Sequence, residues 1–148
     1  MKVRRAAPDD SEKIFEFVCK LEDTHFDYKS FLPLYNSNIA NSENVYLIAI
    51  DRSDRVVGYI SSHGQYLLHH NSKVYEIQEL FVDSEYRNQR VGQHLIRELE
   101  KILIASGNYF LEVTTNRDRE NTNRFYRKCG FEQTHVKFTK TLKSLSQG

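Results

Sequence analysis

The chain has 148 residues, 39% of them hydrophobic, which suits one domain, 1–148, able to bury a core without staples. A net charge of +1 with acids and bases interspersed excludes the broad field that draws nucleic acid or an acidic membrane, so any anion site must be local. Cys19 and Cys129 make no ligand-spaced pair, which argues against a zinc site or a disulfide framework and for a reducing, cytoplasmic setting.

The start, MKVRRAAPDD, is basic but leads into no apolar run, so neither a signal peptide nor a membrane span is expected. Lys2 to Ala6 alternates like a short strand. Pro8 and Asp9 to Ser11 then open a segment in which Ile14, Phe15, Val18 and Leu21 recur at helical spacing. A second helical stretch covers about Tyr28 to Ile39, with Pro33 predicted to kink or break it. Val45 to Ile50, the polar turn Arg52 to Arg55 and Val56 to His63 read as a hairpin. Past the bend His69 to Lys73, Val74 to Val82 predicts a third antiparallel strand.

Val91, Leu95, Leu99, Ile102 and Leu103 form one stripe of a long helix that Gly107 closes. Tyr109 to Val113 follows as a strand, and the helical crossover makes it a parallel neighbour of the strand ending at Val82. A short helix, about Asn121 to Lys128, ends at Gly130, and Phe131 to Leu142 reads as a closing strand.

The stretch "VDSEYRNQRVGQHLIRELEK" joins a strand end, a polar turn and a helix N-terminus. Backbone N–H groups and the positive end of the helix dipole converge there, a natural seat for phosphate. Gly92 permits close backbone approach, and Arg87 and Arg90 add charge. The same spacing also fits a solvated basic turn. The stretch lacks G-x-G-x-x-G and G-K-S/T and follows a hairpin, which disfavours dinucleotide redox chemistry and nucleotide hydrolysis.

"EIQELFVDSEYRNQRVGQHLI" followed by "LEVTTNRDRENTNRFYRKCGFEQ" resembles the core of the GNAT-type N-acetyltransferases, a likeness that runs over nearly the whole chain. It implies an α/β (α+β) fold of the GNAT acyltransferase type: a mixed, mostly antiparallel central sheet of six to seven strands flanked by about four helices. It also implies acetyl-CoA as co-substrate. By resemblance, the backbone of Leu80, Phe81 and Val82 pairs with the pantetheine arm. The turn residues Arg87, Asn88, Gln89, Arg90, Val91, Gly92 and Gln93 meet the pyrophosphate, with Asn116, Arg119 and Tyr126 as further cofactor contacts.

Two positions depart from the family pattern. Its anion turn usually reads Gln/Arg-x-x-Gly-x-Gly/Ala, and Arg90 stands at the inner glycine. Many members carry an asparagine seven residues before the tyrosine, where this chain has Arg119, with Asn116 three residues earlier. Within the family, "HGQYLLHHNSKVYEIQELFV" and "NRFYRKCGFEQTHVKFTKTL" look most like the bacterial aminoalkylphosphonate N-acetyltransferases.

Acetyl transfer to an alkylamine of pKa about 10.4 requires a proton acceptor. The resemblance assigns that role to Glu79, near the end of the central strand, with an ordered water as an intermediary. Strand alternation separates Gln78 from Glu79 unless a bulge intervenes, and the family's usual splay at this strand supplies one. Tyr126 is the matching proton donor for the departing thiolate, and the Leu80 N–H is the expected oxyanion donor. Simpler readings stand beside these: Glu79 as a surface ion-pair carboxylate, and Tyr126 as core packing beside Phe125 and Phe131.

His69 and His70 read either as metal ligands, needing a third such as His63 or Glu79, or as polar surface; a metal is not predicted. Arg124 and Lys137 are candidate counter-charges for a phosphonate. The aromatic segment Glu22 to Asn44, with Phe26, Tyr28, Phe31 and Tyr35, is expected to roof a closed acceptor pocket, which favours a small amine over a peptide. A non-catalytic acyl-CoA-binding module is the remaining alternative. A homodimer is the expected assembly, with no nucleic acid or membrane partner.

Overall fold

In the computed structural model, β1 (Lys2–Arg5) pairs antiparallel with β2 (Asn44–Ile50), aligning Arg4 with Ile48. The model describes residues 1–116 and 118–143. They fall into two compact units, divided between Val113 and Thr114.

Between those strands run α1 (Ser11–Glu22) and α2 (Tyr28–Ala40). A buried Asp10 starts α1: its carboxylate accepts the Ala7 N–H at 2.7 Å and a two-pronged contact from Arg4 at 2.9 and 3.1 Å. Asp27 caps α2, accepting the Ser30 N–H at 3.1 Å and the Ser30 hydroxyl at 2.8 Å. Pro33 does not break α2, which continues through it to Ala40. Losing one backbone bond costs about 3 kcal/mol. Packing offsets this, since Phe31 lies against Phe15 and Tyr35, and the buried Tyr35 donates its hydroxyl to the Ala7 carbonyl at 2.6 Å.

Strand β2 turns into β3 (Val56–Leu67), which pairs with β4 (Ser72–Val82). The crossover helix α3 (Val91–Ala105) leads to β5 (Leu111–Val113), parallel to Tyr75–Ile77 of β4. The sheet order is β1-β2-β3-β4-β5, with only the last pair parallel. One face carries Ile48, Ile50, Tyr59 and Phe81 against Ile14 and Phe17 of α1 and Tyr35 of α2. The other takes α3, whose Val91, Leu95, Leu99 and Leu103 are buried. Gly58 allows that approach: a Cβ there would lie 3.0 Å from the Phe81 carbonyl oxygen and 3.4 Å from side-chain carbons of Val91 and Leu95. Gly107, at φ +80°, ends α3 as predicted.

The second unit contains α4 (Glu120–Lys128), ended by Gly130 at φ +92°. The strand predicted over Phe131 to Leu142 does not form, so five strands stand among the described residues instead of six to seven. Val136, Phe138 and Leu142 keep their strand-like alternation but are exposed. Alternation specifies a face, whereas a strand also needs a partner for its N–H and C=O groups. No helix among the described residues is long and apolar enough to cross a membrane.

Candidate active site

The acceptor wall begins with a fault in the ladder. Ser61 faces Glu79, yet Ser62 faces Ile77, so Gln78 has no opposite number and bulges from β4. Regular alternation would place Glu76 and Glu79 on opposite faces. The extra residue brings both to one face: Glu79 beside Ser61, Glu76 beside His63, with Gln78 exposed. The bulge that family likeness implied for this strand lies at Gln78.

Glu79 is held firmly. Its Oε1 accepts the Tyr59 hydroxyl at 2.6 Å and the Ser61 hydroxyl at 2.8 Å, and its backbone N–H donates to Ser61 Oγ at 3.1 Å. Tyr59 and Ser61 are fully buried. Charge-assisted bonds of this kind are roughly twice as strong as neutral ones, and they fix the rotamer. Burial, then the Glu79 charge, drives the Tyr59 phenol well above its ordinary range. The reading of Glu79 as an ordinary surface ion pair finds no basic partner among the described residues.

The same wall contains Tyr46, which sequence reasoning passed over, and His63, which figured there only as a possible third metal ligand. Tyr46 Oη and His63 Nε2 share a hydrogen bond of 2.7 Å, and Asn38 of α2 donates to Tyr46 Oη at 3.1 Å. Burial and then Glu79 push the Tyr46 phenol up to about 12. Burial lowers the His63 imidazole, against the pull of Glu79 and Glu76. A detectable signal was present: Tyr59, Ser61 and His63 put polar groups at period two along the strand.

Beyond the bulge, the free edge of β4 presents backbone donors. The Glu79 N–H turns toward β3 to meet Ser61, and the Asp83 N–H does the same to reach the Val57 carbonyl at 2.8 Å. Alternation therefore turns the N–H groups of Leu80 and Val82 the other way. On that side β5 pairs only as far as Ile77, which leaves Leu80–Val82 without a ladder partner among the described residues.

The candidate anion turn follows at once. A 3-10 turn over Ser84–Tyr86 leads to Asn88 at φ +64° and Arg90 at φ +63°, both left-handed, before α3 starts at Val91. Arg90 thus adopts the conformation usually supplied by glycine, at about 1–2 kcal/mol. No side chain caps α3, and the first helical bond is from the His94 N–H to the Arg90 carbonyl, at 3.0 Å. Gly92 lies in the first helical turn beside Gln93. Arg87 folds back, donating to the Val82 carbonyl at 3.2 Å and lying over the Phe81 ring, while Gln89 donates to the Glu85 carbonyl at 3.2 Å. An unforeseen tie secures the turn: Tyr86 donates its hydroxyl to Asp51 at 2.6 Å and accepts from Arg55 at 2.6 Å.

In the second unit, Tyr126 is 8% exposed and packs between Phe125 and Phe131, at ring separations of 5.3 and 5.5 Å. Burial pushes its phenol up to about 12, with a smaller contribution from Cys129. The core-packing role is therefore present whatever else Tyr126 does. Asn116 accepts the Asp118 N–H on its side chain and the Arg119 N–H on its carbonyl, both at 3.0 Å. That turn delivers Arg119 to the start of α4, where it is the N-cap residue. Arg124 and Lys137 are exposed.

His69 and His70 occupy a 3-10 turn, with His70 Nε2 at 3.6 Å from Glu112. No group of three metal-ligating side chains converges among the described residues. The aromatic rings of the α2 segment pack internally: Tyr28 and Phe31 lie against Phe15, and Phe26 stays exposed.

Residues 11–131 match the acetyltransferase (GNAT) family. The chain is 34% identical over 141 residues to an aminoalkylphosphonate N-acetyltransferase of Salmonella typhimurium, covering 95% of this chain and 91% of that one. Its fold is that of a 6'-N-acetyltransferase of aminoglycoside antibiotics from Acinetobacter baumannii, with a TM-score of 0.82 at 16% identity over 96% of this chain and 99% of the other. It is equally that of glucosamine-6-phosphate N-acetyltransferase from Arabidopsis thaliana, with a TM-score of 0.79 at 18% identity over 96% and 98%. With its bulged central strand, a β4 edge unpaired among the described residues and a left-handed turn before α3, the chain belongs to the GNAT family of N-acetyltransferases, which take their acetyl group from acetyl-CoA.

Proposed function

We propose that the protein transfers the acetyl group of acetyl-CoA to the primary amine of a small molecule, an aminoalkylphosphonate in first place. The observation that carries the reaction is Glu79, which the bulge presents on the wall with Tyr59 and Ser61 on one oxygen. Its other oxygen meets no protein donor among the described residues and is the one offered to the ammonium. The acceptor class rests on the 34% identity to the Salmonella enzyme.

In this reading an N–H bond of the ammonium breaks and its proton moves to Glu79 Oε2, directly or through water. The nitrogen lone pair then adds to the acetyl carbonyl carbon, and the adduct gives up its second N–H proton to water. The Leu80 N–H meets the oxyanion, and the turn Arg87–Gln93 with Asn116 and Arg119 takes the cofactor's phosphates. When the C–S bond breaks, Tyr126 gives its hydroxyl proton to the sulfur. A phenol pushed up to about 12 stays protonated at neutral pH and so remains a ready donor. It is also a weaker acid than a thiol of pKa about 8.5, so delivery accompanies C–S cleavage.

The same proposal takes both units as one domain, supported by a family match that runs from 11 to 131. It also includes the homodimer and the cytoplasmic setting. The test is thiol release from acetyl-CoA with a panel of primary amines, including aminomethyl- and aminoethylphosphonate. Highest kcat/KM with the phosphonates supports the acceptor class. Activity confined to peptides would replace it with a protein N-acetyltransferase.

A further inference from the structure

Two polar atoms of the acceptor wall have no partner among the described residues. Glu79 Oε2 meets no donor, because Tyr59 and Ser61 both bond Oε1, and His63 Nδ1 meets no acceptor, because the ring is bonded only through Nε2. Neither atom is buried without a partner, so both reach solvent. Strand register sets them on one face: Ser61 lies opposite Glu79, and His63, two residues along β3, lies opposite Glu76. Two residues of strand span about 7 Å, so a molecule with a few bonds between its polar ends can meet both atoms.

The state of His63 is set from its other side. Asn38 donates to Tyr46 Oη at 3.1 Å, and Tyr46 Oη lies 2.7 Å from His63 Nε2. Among the described residues Nε2 is the acceptor left for the phenolic hydrogen, so the neutral ring carries its own proton on Nδ1. Burial lowers the imidazole from 6.5 and so keeps the ring neutral at pH 7, against the pull of Glu79 and Glu76 on β4. The two ring nitrogens lie on opposite flanks, so the Nδ1–H points away from Tyr46 and β2. Glu76 stands on β4, the other neighbour of β3, with Glu112 of β5 in register beside it.

An N–H beside a carboxylate suits an oxygen that accepts and donates at once. A fully ionised oxyanion would satisfy Nδ1 but be repelled by Glu76 and Glu112. We propose that the acceptor is held at two points: its ammonium on Glu79 Oε2, and a proton-bearing oxygen that accepts from His63 Nδ1–H and donates to Glu76. This rests on the acetyl-transfer reading above and narrows the acceptor to an amine with such an oxygen a few bonds away, either a phosphonate carrying one proton or an alcohol. His63 is then a specificity residue. Tyr46 and Asn38 touch no part of the acceptor and are positioning residues that hold the tautomer.

His63→Leu removes the donor, and three amines read the result: aminoethylphosphonate, aminopropanol and butylamine, the last without an oxygen. We expect kcat/KM for an oxygen-bearing amine to fall about tenfold while that for butylamine holds, and the amine that shows the loss identifies the source of the oxygen. His63→Gln offers Tyr46 an acceptor and the substrate an N–H, and should recover most of the loss. Equal loss with all three amines, or no loss, would overturn the subsite. A second measurement needs no turnover: nitrogen NMR of His63 in the full chain should show the Nδ1–H tautomer, with the Nδ1 signal moving when aminopropanol or aminoethylphosphonate is added. The Nε2–H tautomer, or an unmoved signal with both amines, would also overturn the subsite. Wild-type protein that releases no thiol with any amine would refute the acetyl-transfer reading instead, and the NMR result would then decide the subsite alone.

Discussion

The acceptor wall and the anion turn adjoin on one strand, yet they are built from different parts of the chain. On the wall, side chains make the contacts: Tyr59 and Ser61 hold Glu79, and Tyr46 holds His63, on one face of the sheet. In the turn, Arg87 to Arg90 are exposed, and the backbone does the shaping through left-handed Asn88 and Arg90. A wall built from side chains should fail sharply when one is replaced. A turn built from backbone should tolerate new side chains that keep its dihedrals.

Substitutions can break this contrast. The largest effect is expected for Glu79→Gln, which removes the proton acceptor and should lower kcat by about 10²–10⁴-fold. Tyr126→Phe should follow at on the order of 10²-fold in kcat, with acetyl-CoA affinity held in equilibrium titration. Gly58→Ala forces a Cβ to 3.0 Å from a backbone oxygen between the sheet and α3, so the neighbouring chain must shift. Urea unfolding should show a loss of about 1–3 kcal/mol.

The turn should respond mildly and by sign. Arg90→Gly keeps the left-handed conformation without its steric cost, and thermal unfolding should show a gain of up to about 1 kcal/mol. Arg90→Glu keeps the backbone but reverses a charge, so acetyl-CoA should bind more weakly; an unchanged Kd would mean that this side chain points away. The smallest effect concerns His63, whose pKa is lowered on folding from 6.5. The unfolded chain then binds more protons as pH falls through 6.5, so stability is lost on the acid side and complete above it. His63→Gln should flatten that slope in denaturant midpoints.

The two regions also differ in how far the sequence revealed them. The turn was legible because strand end, polar residues, Gly92 and an amphipathic helix are contiguous. Arg90 stood out as an exception, and its φ of +63° explains how it stands in for glycine. The wall was legible at Glu79 and its bulge, through family likeness, while His63 entered only as a possible metal ligand. Its other members come from β2, β3 and α2, and the pairing of Tyr46 with His63 depends on strand register, which no local window contains. The tie from Tyr86 to Asp51 was hidden for the same reason. That Pro33 does not break α2 was hidden because the cost of one backbone bond is local, whereas the packing of Phe31 and Tyr35 that offsets it is not. Phe131 to Leu142 misled in the opposite way, by showing the strand period without a partner.

The most direct test pairs two readings on Glu79→Gln: the Kd for acetyl-CoA by titration calorimetry and the rate of thiol release with aminoethylphosphonate. The account predicts a wild-type Kd with a collapsed rate, because the carboxylate serves the amine while the backbone of β4 and the turn hold the cofactor. A variant that turns over at the wild-type rate would contradict it.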